Sequence, residues 1–147
     1  MRVTNTVLGA GLYLFVTSAW GAGYHAAIDQ FFERFGNGEV AKAVDGVYSS
    51  NPWIDVNGEA VSNVRNQLLN INSLVGDFNG QVLLDETLVK NVYVHVTYLA
   101  LFDRQPVRME FQYYKPKDRW MVFSFAFDVN WDEELEQAVR EKIARGN

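Results

Sequence analysis

The spacing of the apolar residues changes once along this 147-residue chain, near residue 80. Before that point they recur every three or four residues, which is typical of amphipathic helices. After it they alternate along segments rich in β-branched and aromatic residues, which is typical of strands. Helices followed by a run of strands predict an α+β fold, in which the helices pack on one sheet.

Three helices are predicted before the change of spacing: residues 24–35, 39–48 and 59–74. Four strands are predicted after it: residues 81–89, 91–101, 107–114 and 119–128. Proline-containing turns at 103–106 and 115–118 separate the last three strands, and connections this short make neighbouring strands antiparallel. Residues 131–147 are predicted to form a C-terminal helical extension. No repeat or linker divides residues 22–147, so we expect a single domain.

The N-terminal residues have the pattern of a secretory signal peptide. Arg2 supplies a positive charge, residues 7–16 form an uncharged apolar run, and small residues flank Trp20. A run of this length is too short to cross a hydrocarbon core of ~30 Å. We therefore expect residues 1–21 to be removed on export to the periplasm or the medium, with membrane contact confined to this segment before cleavage. An uncleaved anchor or a buried first helix is the alternative.

Composition excludes several classes of protein. The chain has no cysteine, which excludes a disulfide scaffold, a thiolate zinc site and a cysteine nucleophile. Its net charge of −5 argues against a nucleic-acid partner, because phosphate binding needs a basic surface. Neither a catalytic motif nor a phosphate-binding loop is present, so no cofactor and no metal ion are predicted.

Two of the predicted strands carry apolar residues on both of their rows. In the second strand Val94 and Val96 alternate with Tyr93, and in the fourth Val122 alternates with Phe123. A sheet with one face in solvent should instead alternate apolar and polar residues. We therefore expect both faces to be covered, one by the three helices and the other by the C-terminal helix or a second copy of the protein.

Residues 31–43 (FFERFGNGEVAKA) resemble the opening helix pair of the NTF2-like (cystatin-like α+β) superfamily. Residues 48–52 lie where those proteins leave the second helix, and residues 111–125 resemble their final hairpin, in which a tryptophan, here Trp120, follows the turn. The resemblance implies an exported member with three helices on a curved four-stranded antiparallel sheet, a conical cavity between them, and homodimers. The superfamily contains isomerases, dehydratases, hydrolases and binding modules, so the fold does not give the function.

Two binding hypotheses follow from this resemblance and from the aromatic content. In the first, a non-catalytic homodimer binds a small apolar or aromatic ligand in the cavity. The candidate ligand-binding residues are Phe32, Tyr48, Trp53, His95 and Tyr98. In the alternative, the domain is a protein–protein interaction module of the cell envelope, joined through its outer sheet face to a second copy or to another protein. The candidate residues for that face are Tyr93, Leu99, Tyr114 and Trp120.

A ketosteroid-isomerase-like or dehydratase-like enzyme is the second alternative. Such an enzyme needs an acid or base in the cavity whose pKa an apolar site has shifted. Tyr24, Asp55 and Glu110 are the candidates by position, but they do not match the acids of that isomerase residue by residue. Glu110 shares its row with Arg108, which equally fits an ion pair across strands. No catalytic residue is therefore predicted.

Overall fold

The computed structural model describes residues 23–146, and the predicted signal peptide at residues 1–21 lies outside the described residues. In chain order the elements are α1 (Tyr24–Gly36), α2 (Val40–Tyr48), α3 (Glu59–Leu69), α4 (Ile71–Val75), β1 (Phe78–Val89), β2 (Tyr93–Phe102), β3 (Val107–Tyr114), β4 (Met121–Asp128) and α5 (Asp132–Ala144). The predicted third helix is divided, because Asn70 separates α3 from the short α4.

The four strands form one antiparallel sheet in the order β1-β2-β3-β4. The predicted α+β class, the antiparallel sheet and the C-terminal helix are thereby confirmed. Three irregularities interrupt the ladder. Two lie in β1, between Phe78 and Gly80 and between Leu83 and Asp85. The third lies in β4 at Phe123, where Gln112 pairs with Ser124 but Tyr113 pairs with Val122.

The bulge at Phe123 changes which side chains of β4 share a face. Val122 and Phe125 are buried on the helix side, whereas Phe123 is 63% exposed and its ring lies 6.4 Å from that of Tyr93 on the other side. Strict alternation along this strand predicts Phe123 and Phe125 in one row, and that prediction is wrong, because an inserted residue exchanges the two faces of a strand beyond it.

The core lies between α1 and the sheet and consists largely of aromatic rings. The ring centroid of Phe31 lies 5.2 Å from that of Phe111 and 5.2 Å from that of Phe125. Phe32 lies 4.9 Å from Tyr98 in the same layer. Within residues 23–146 no polar or charged residue is buried, so this interior is held by packing of apolar surface.

Polar contacts fix the other helices around this core. Arg65 of α3 donates to Asp45 of α2 (Nε to Oδ1, 3.1 Å) and to the carbonyl of Val56 (3.1 Å). The chain leaves α4 through Gly76, whose φ of +89° suits glycine and whose added Cβ would lie 2.6 Å from Cβ of Asp103. Hydrogen bonds from the Asn79 side chain and the Asp77 backbone lower the pKa of Asp103.

The C-terminal helix is attached to the sheet only near its start. Trp131, just before α5, is buried, and the guanidinium of Arg108 lies 5.8 Å from the centroid of its ring. Beyond that point Leu135, Val139 and Ile143 form an exposed apolar stripe along α5. None of the helices between residues 23 and 146 combines the length and the apolar character needed to cross a membrane.

A test of the aromatic core compares two phenylalanines on opposite faces of the sheet. We expect Phe111→Ala to lower the free energy of unfolding by about 3–5 kcal/mol, because it leaves a cavity against Phe31. The exposed Phe123→Ala is the control and should change the free energy of unfolding by less than about 1 kcal/mol. Urea denaturation monitored by circular dichroism measures both, and equal losses would contradict the described packing.

Candidate functional site

The sheet face that points away from α1–α4 collects most of the candidate side chains, and we call it the outer face. Its members alternate with the buried residues of β2 and β3 and are joined by Phe123 at the bulge of β4. They are Tyr93, His95, Thr97, Leu99, Leu101, Arg108, Glu110, Gln112, Tyr114 and Phe123. The aromatic and aliphatic members lie towards the two ends of this face, and the charged members lie between them.

An ion cluster occupies the centre of the outer face. Glu110 lies between His95 (Oε1 to Nε2, 3.3 Å) and Arg108 (Oε2 to Nε, 3.9 Å). Arg108 also contacts Asp128 at 3.3 Å and pairs with Glu134 of α5. Three carboxylates therefore surround one guanidinium and one imidazole, which disfavours an anionic ligand. The cluster joins β3, the end of β4 and α5.

Three of the four residues proposed for a dimer face lie on the outer face. Tyr93 pairs directly with Tyr114 across β2 and β3, and Leu99 pairs with Arg108. The fourth, Trp120, precedes β4 and packs on the helix side, with its ring centroid 5.1 Å from that of Tyr24. Phe123 joins this face although the sequence did not indicate it, since a bulge has no mark in the spacing of apolar residues.

The residues proposed to bind a ligand occupy three separate places. Phe32 and Tyr98 touch each other inside the core, and Tyr48 is also buried in the core. Trp53 is 86% exposed in the segment between α2 and α3. His95 lies on the outer face, on the other side of the sheet from Tyr98. Burial is the main cause that raises the pKa of both Tyr48 and Tyr98.

The residues considered for catalysis are also apart. Tyr24 at the start of α1 donates a hydrogen bond of 2.5 Å to Glu86 of β1, and Nε2 of His25 lies 3.4 Å from the same carboxylate. Asp55 accepts the backbone N–H of Asn57 in a turn, and Glu110 belongs to the outer face. In the described part of the chain no three His, Asp or Glu side chains converge as metal ligands would.

A separate groove of about 430 Å³ lies between α3, α4 and the end of β4. Its apolar lining comes from Ile71, Leu74, Phe127 and Val129, and side-chain amides lie along its rim. Leu74 is 66% exposed there. We call this feature the α3–β4 groove; it has the size and composition of a site for a small uncharged molecule.

The chain was compared with models of protein families, with curated proteins and with solved structures, and no match was found in any of the three. The membership in the NTF2-like superfamily therefore stays a prediction from residues 31–43, 48–52 and 111–125.

The contact between Tyr24 and Glu86 can be tested by pH. Burial, followed by the Glu86 carboxylate, raises the pKa of Tyr24 to about 12, above its ordinary value of 10.0. The contribution of the hydroxyl to stability should therefore be complete below pH 10 and be lost as pH rises towards 12. We expect Tyr24→Phe to cost roughly 1–2 kcal/mol at pH 7 and less at pH 11. Urea denaturation at pH 7, 9 and 11 measures the difference, and a gap that widens at alkaline pH would contradict the assignment.

A second test concerns the attachment of α5. We expect Arg108→Ala to increase hydrogen exchange of the α5 amides about tenfold, because it removes the ion pair with Glu134 and the contact with Trp131. Arg140→Ala is the matched control, since it removes only an exposed ion pair with Glu136 within α5. If both variants exchange alike, Arg108 does not hold α5 to the sheet.

Proposed function

We propose that this chain is a non-catalytic interaction domain that binds a protein partner through its outer face. The observation that carries the proposal is the distribution of apolar side chains: the space between helices and sheet is filled by aromatic rings, while large apolar side chains remain exposed on the other face. Because the interior is filled, we expect the partner to bind at the surface of the domain.

The composition of the outer face supports a protein partner. Tyr114 and Phe123 are 42% and 63% exposed, and Leu101 adds aliphatic area at the other end. Aromatic residues and arginine are the types most enriched at the energetic centres of protein interfaces. Arg108 lies towards the Leu99 end of this face and is held in position by Glu110 and Asp128, so the surface is ordered before a partner arrives.

The filled interior weighs against a cavity enzyme. Within residues 23–146 the helix side of the sheet has no buried carboxylate or histidine. A general acid or base with a shifted pKa needs such a position. The tyrosines on that side whose pKa is raised are Tyr24, Tyr48, Tyr98 and Tyr113, and burial is the largest cause for each.

The site of action that we propose is outside the cytoplasm. The pattern of residues 1–21 supports export by a cleaved signal peptide, and the absence of cysteine fits a domain that does not depend on disulfides. The NTF2-like resemblance supports a sheet that curves around α1. Under this proposal the conical space of that family is occupied by Phe31, Phe32 and Phe111.

A small-molecule function is the second candidate, and the α3–β4 groove favours it. Its volume of about 430 Å³ falls within the range of ligand sites, and its lining combines apolar side chains with a few amides. The ligand expected there is small, apolar or aromatic and uncharged. Under this second candidate the ligand would contact Ile71, Leu74 and Phe127 instead of the residues proposed from the sequence.

The two candidates can be separated with one pair of surface variants. The protein is crosslinked in its own host, purified, and examined by native mass spectrometry for retained proteins and small molecules. We expect Tyr114→Glu to remove most of a retained protein partner, at least tenfold, because a charge replaces aromatic contact area on the outer face. Leu74→Glu in the groove is the matched control, since it puts the same charge at an exposed apolar position.

A retained protein that is lost with Leu74→Glu but not with Tyr114→Glu would contradict the outer-face proposal. A retained small molecule that Leu74→Glu removes would establish the groove as the functional site instead. Hydrogen exchange on both variants checks that the sheet is intact.

A further inference from the structure

Within residues 23–146 strand β1 forms an open edge of the sheet, and its protection against pairing is limited to its bulges and two acidic residues. It is twelve residues long, and its aliphatic side chains are about half exposed. These side chains are Val82, Leu83, Leu84, Leu88 and Val89. The strand contains neither lysine nor proline, the residues that commonly protect an edge. An edge of this length and composition is a template for another strand.

The opposite edge is covered by the chain itself at one position. Asn51 donates to the carbonyl of Val122 in β4 at 2.7 Å, and the N–H of Val122 donates to the hydroxyl of Ser50 at 2.9 Å. The segment after α2 therefore occupies both backbone groups of Val122. Pairing of β1 with β1 of a second copy is symmetric, so it uses both β1 edges and ends at two copies.

We propose that a second copy of this chain pairs antiparallel with β1, so that two four-stranded sheets become one. This inference uses a different surface from the proposed function and does not depend on it. Directly opposite residues of two strands point to the same face. Consider two copies of a regular strand related by a two-fold axis perpendicular to the sheet. The axis must then lie between one residue and the same residue of the other copy.

The bulge in β1 changes this rule and selects a register. Before the bulge, Gln81 and Leu83 pair with residues of β2 that face the helices. After the bulge, Glu86 and Leu88 pair with such residues. Residues on the two sides of the bulge can match only if the axis lies at the bulge, beside Leu84. Two centres meet this condition, one between residues 83 and 84 and one between 84 and 85.

Charge favours the centre between Leu83 and Leu84, which is also the midpoint of β1. There Glu86 lies opposite Gln81 of the partner subunit, and the acids of the two copies do not oppose each other. With the other centre, both Asp85 and Glu86 face leucines. A second irregularity at Asn79 limits the matching faces of the first register to residues 80–87. Within that stretch the first register places an amide opposite each Glu86 and buries leucine against leucine.

The experiment is analytical ultracentrifugation of the purified protein from 1 to 100 μM. We expect a dimer, and we expect Leu84→Lys to raise its dissociation constant at least tenfold, because a lysine at the centre of an edge opposes pairing. Leu69→Lys on α3 is the matched control, with a leucine of similar exposure away from the edge, and should leave the dimer unchanged. Circular dichroism checks that both variants are folded.

A disulfide tests the pairing independently of the charge substitution. Since the chain has no cysteine, Leu84→Cys alone should form an intermolecular disulfide under mild oxidation, whereas Leu69→Cys should not.

Three results would overturn the proposal. They are a monomer at 100 μM, a dimer unaffected by Leu84→Lys, and a dimer that only Tyr114→Glu dissociates. The last result would place self-association on the outer face and leave the proposed function standing. Loss of the edge dimer with an intact partner at the outer face would show that the two surfaces act separately.

Discussion

Phe31 of α1 lies against both Phe111 of β3 and Phe125 of β4, and the arrangement of the rest of the domain depends on this contact. Because three aromatic rings meet there at centroid distances near 5 Å, the helix cannot separate from the sheet without exposing large apolar area. The contact fixes which face of the sheet is interior, and it fills the space that a ligand would need.

Once the interior face of the sheet is fixed, the residues of the outer face are fixed too. Every residue of β3 that alternates with Val107, Met109 and Phe111 points outward, which places Arg108 and Glu110 side by side on the outer face. Their partial burial strengthens the ion pairs, and Arg108 has enough reach to hold both Asp128 and Glu134. The ion cluster therefore has a structural role in positioning α5, while the aromatic side chains of the outer face stay accessible.

The sequence predicted the elements well where apolar spacing is regular, and less well where a strand is irregular. The strand 107–114 agrees with β3 at both ends, and the C-terminal helix was placed within a few residues. β1 begins earlier than expected, at Phe78, because the Phe78 ring packs against Phe35 of α1 and Phe102 of β2. Both residues are far from Phe78 in the sequence. The separation of α3 from α4 at Asn70 was not visible in a continuous apolar pattern.

The sequence alone determined the α+β class, the antiparallel order of the strands and the aromatic character of the core, since these depend on local spacing, short turns and composition. Only the tertiary structure decided which residues share a face. A bulge at Phe123 moves that ring to the outer side, and the pairing of β2 with β3 puts His95 beside Glu110 rather than near Tyr98. Strand register depends on contacts between residues far apart in the chain, and one inserted residue reverses a face, so spacing within a strand could not reveal it.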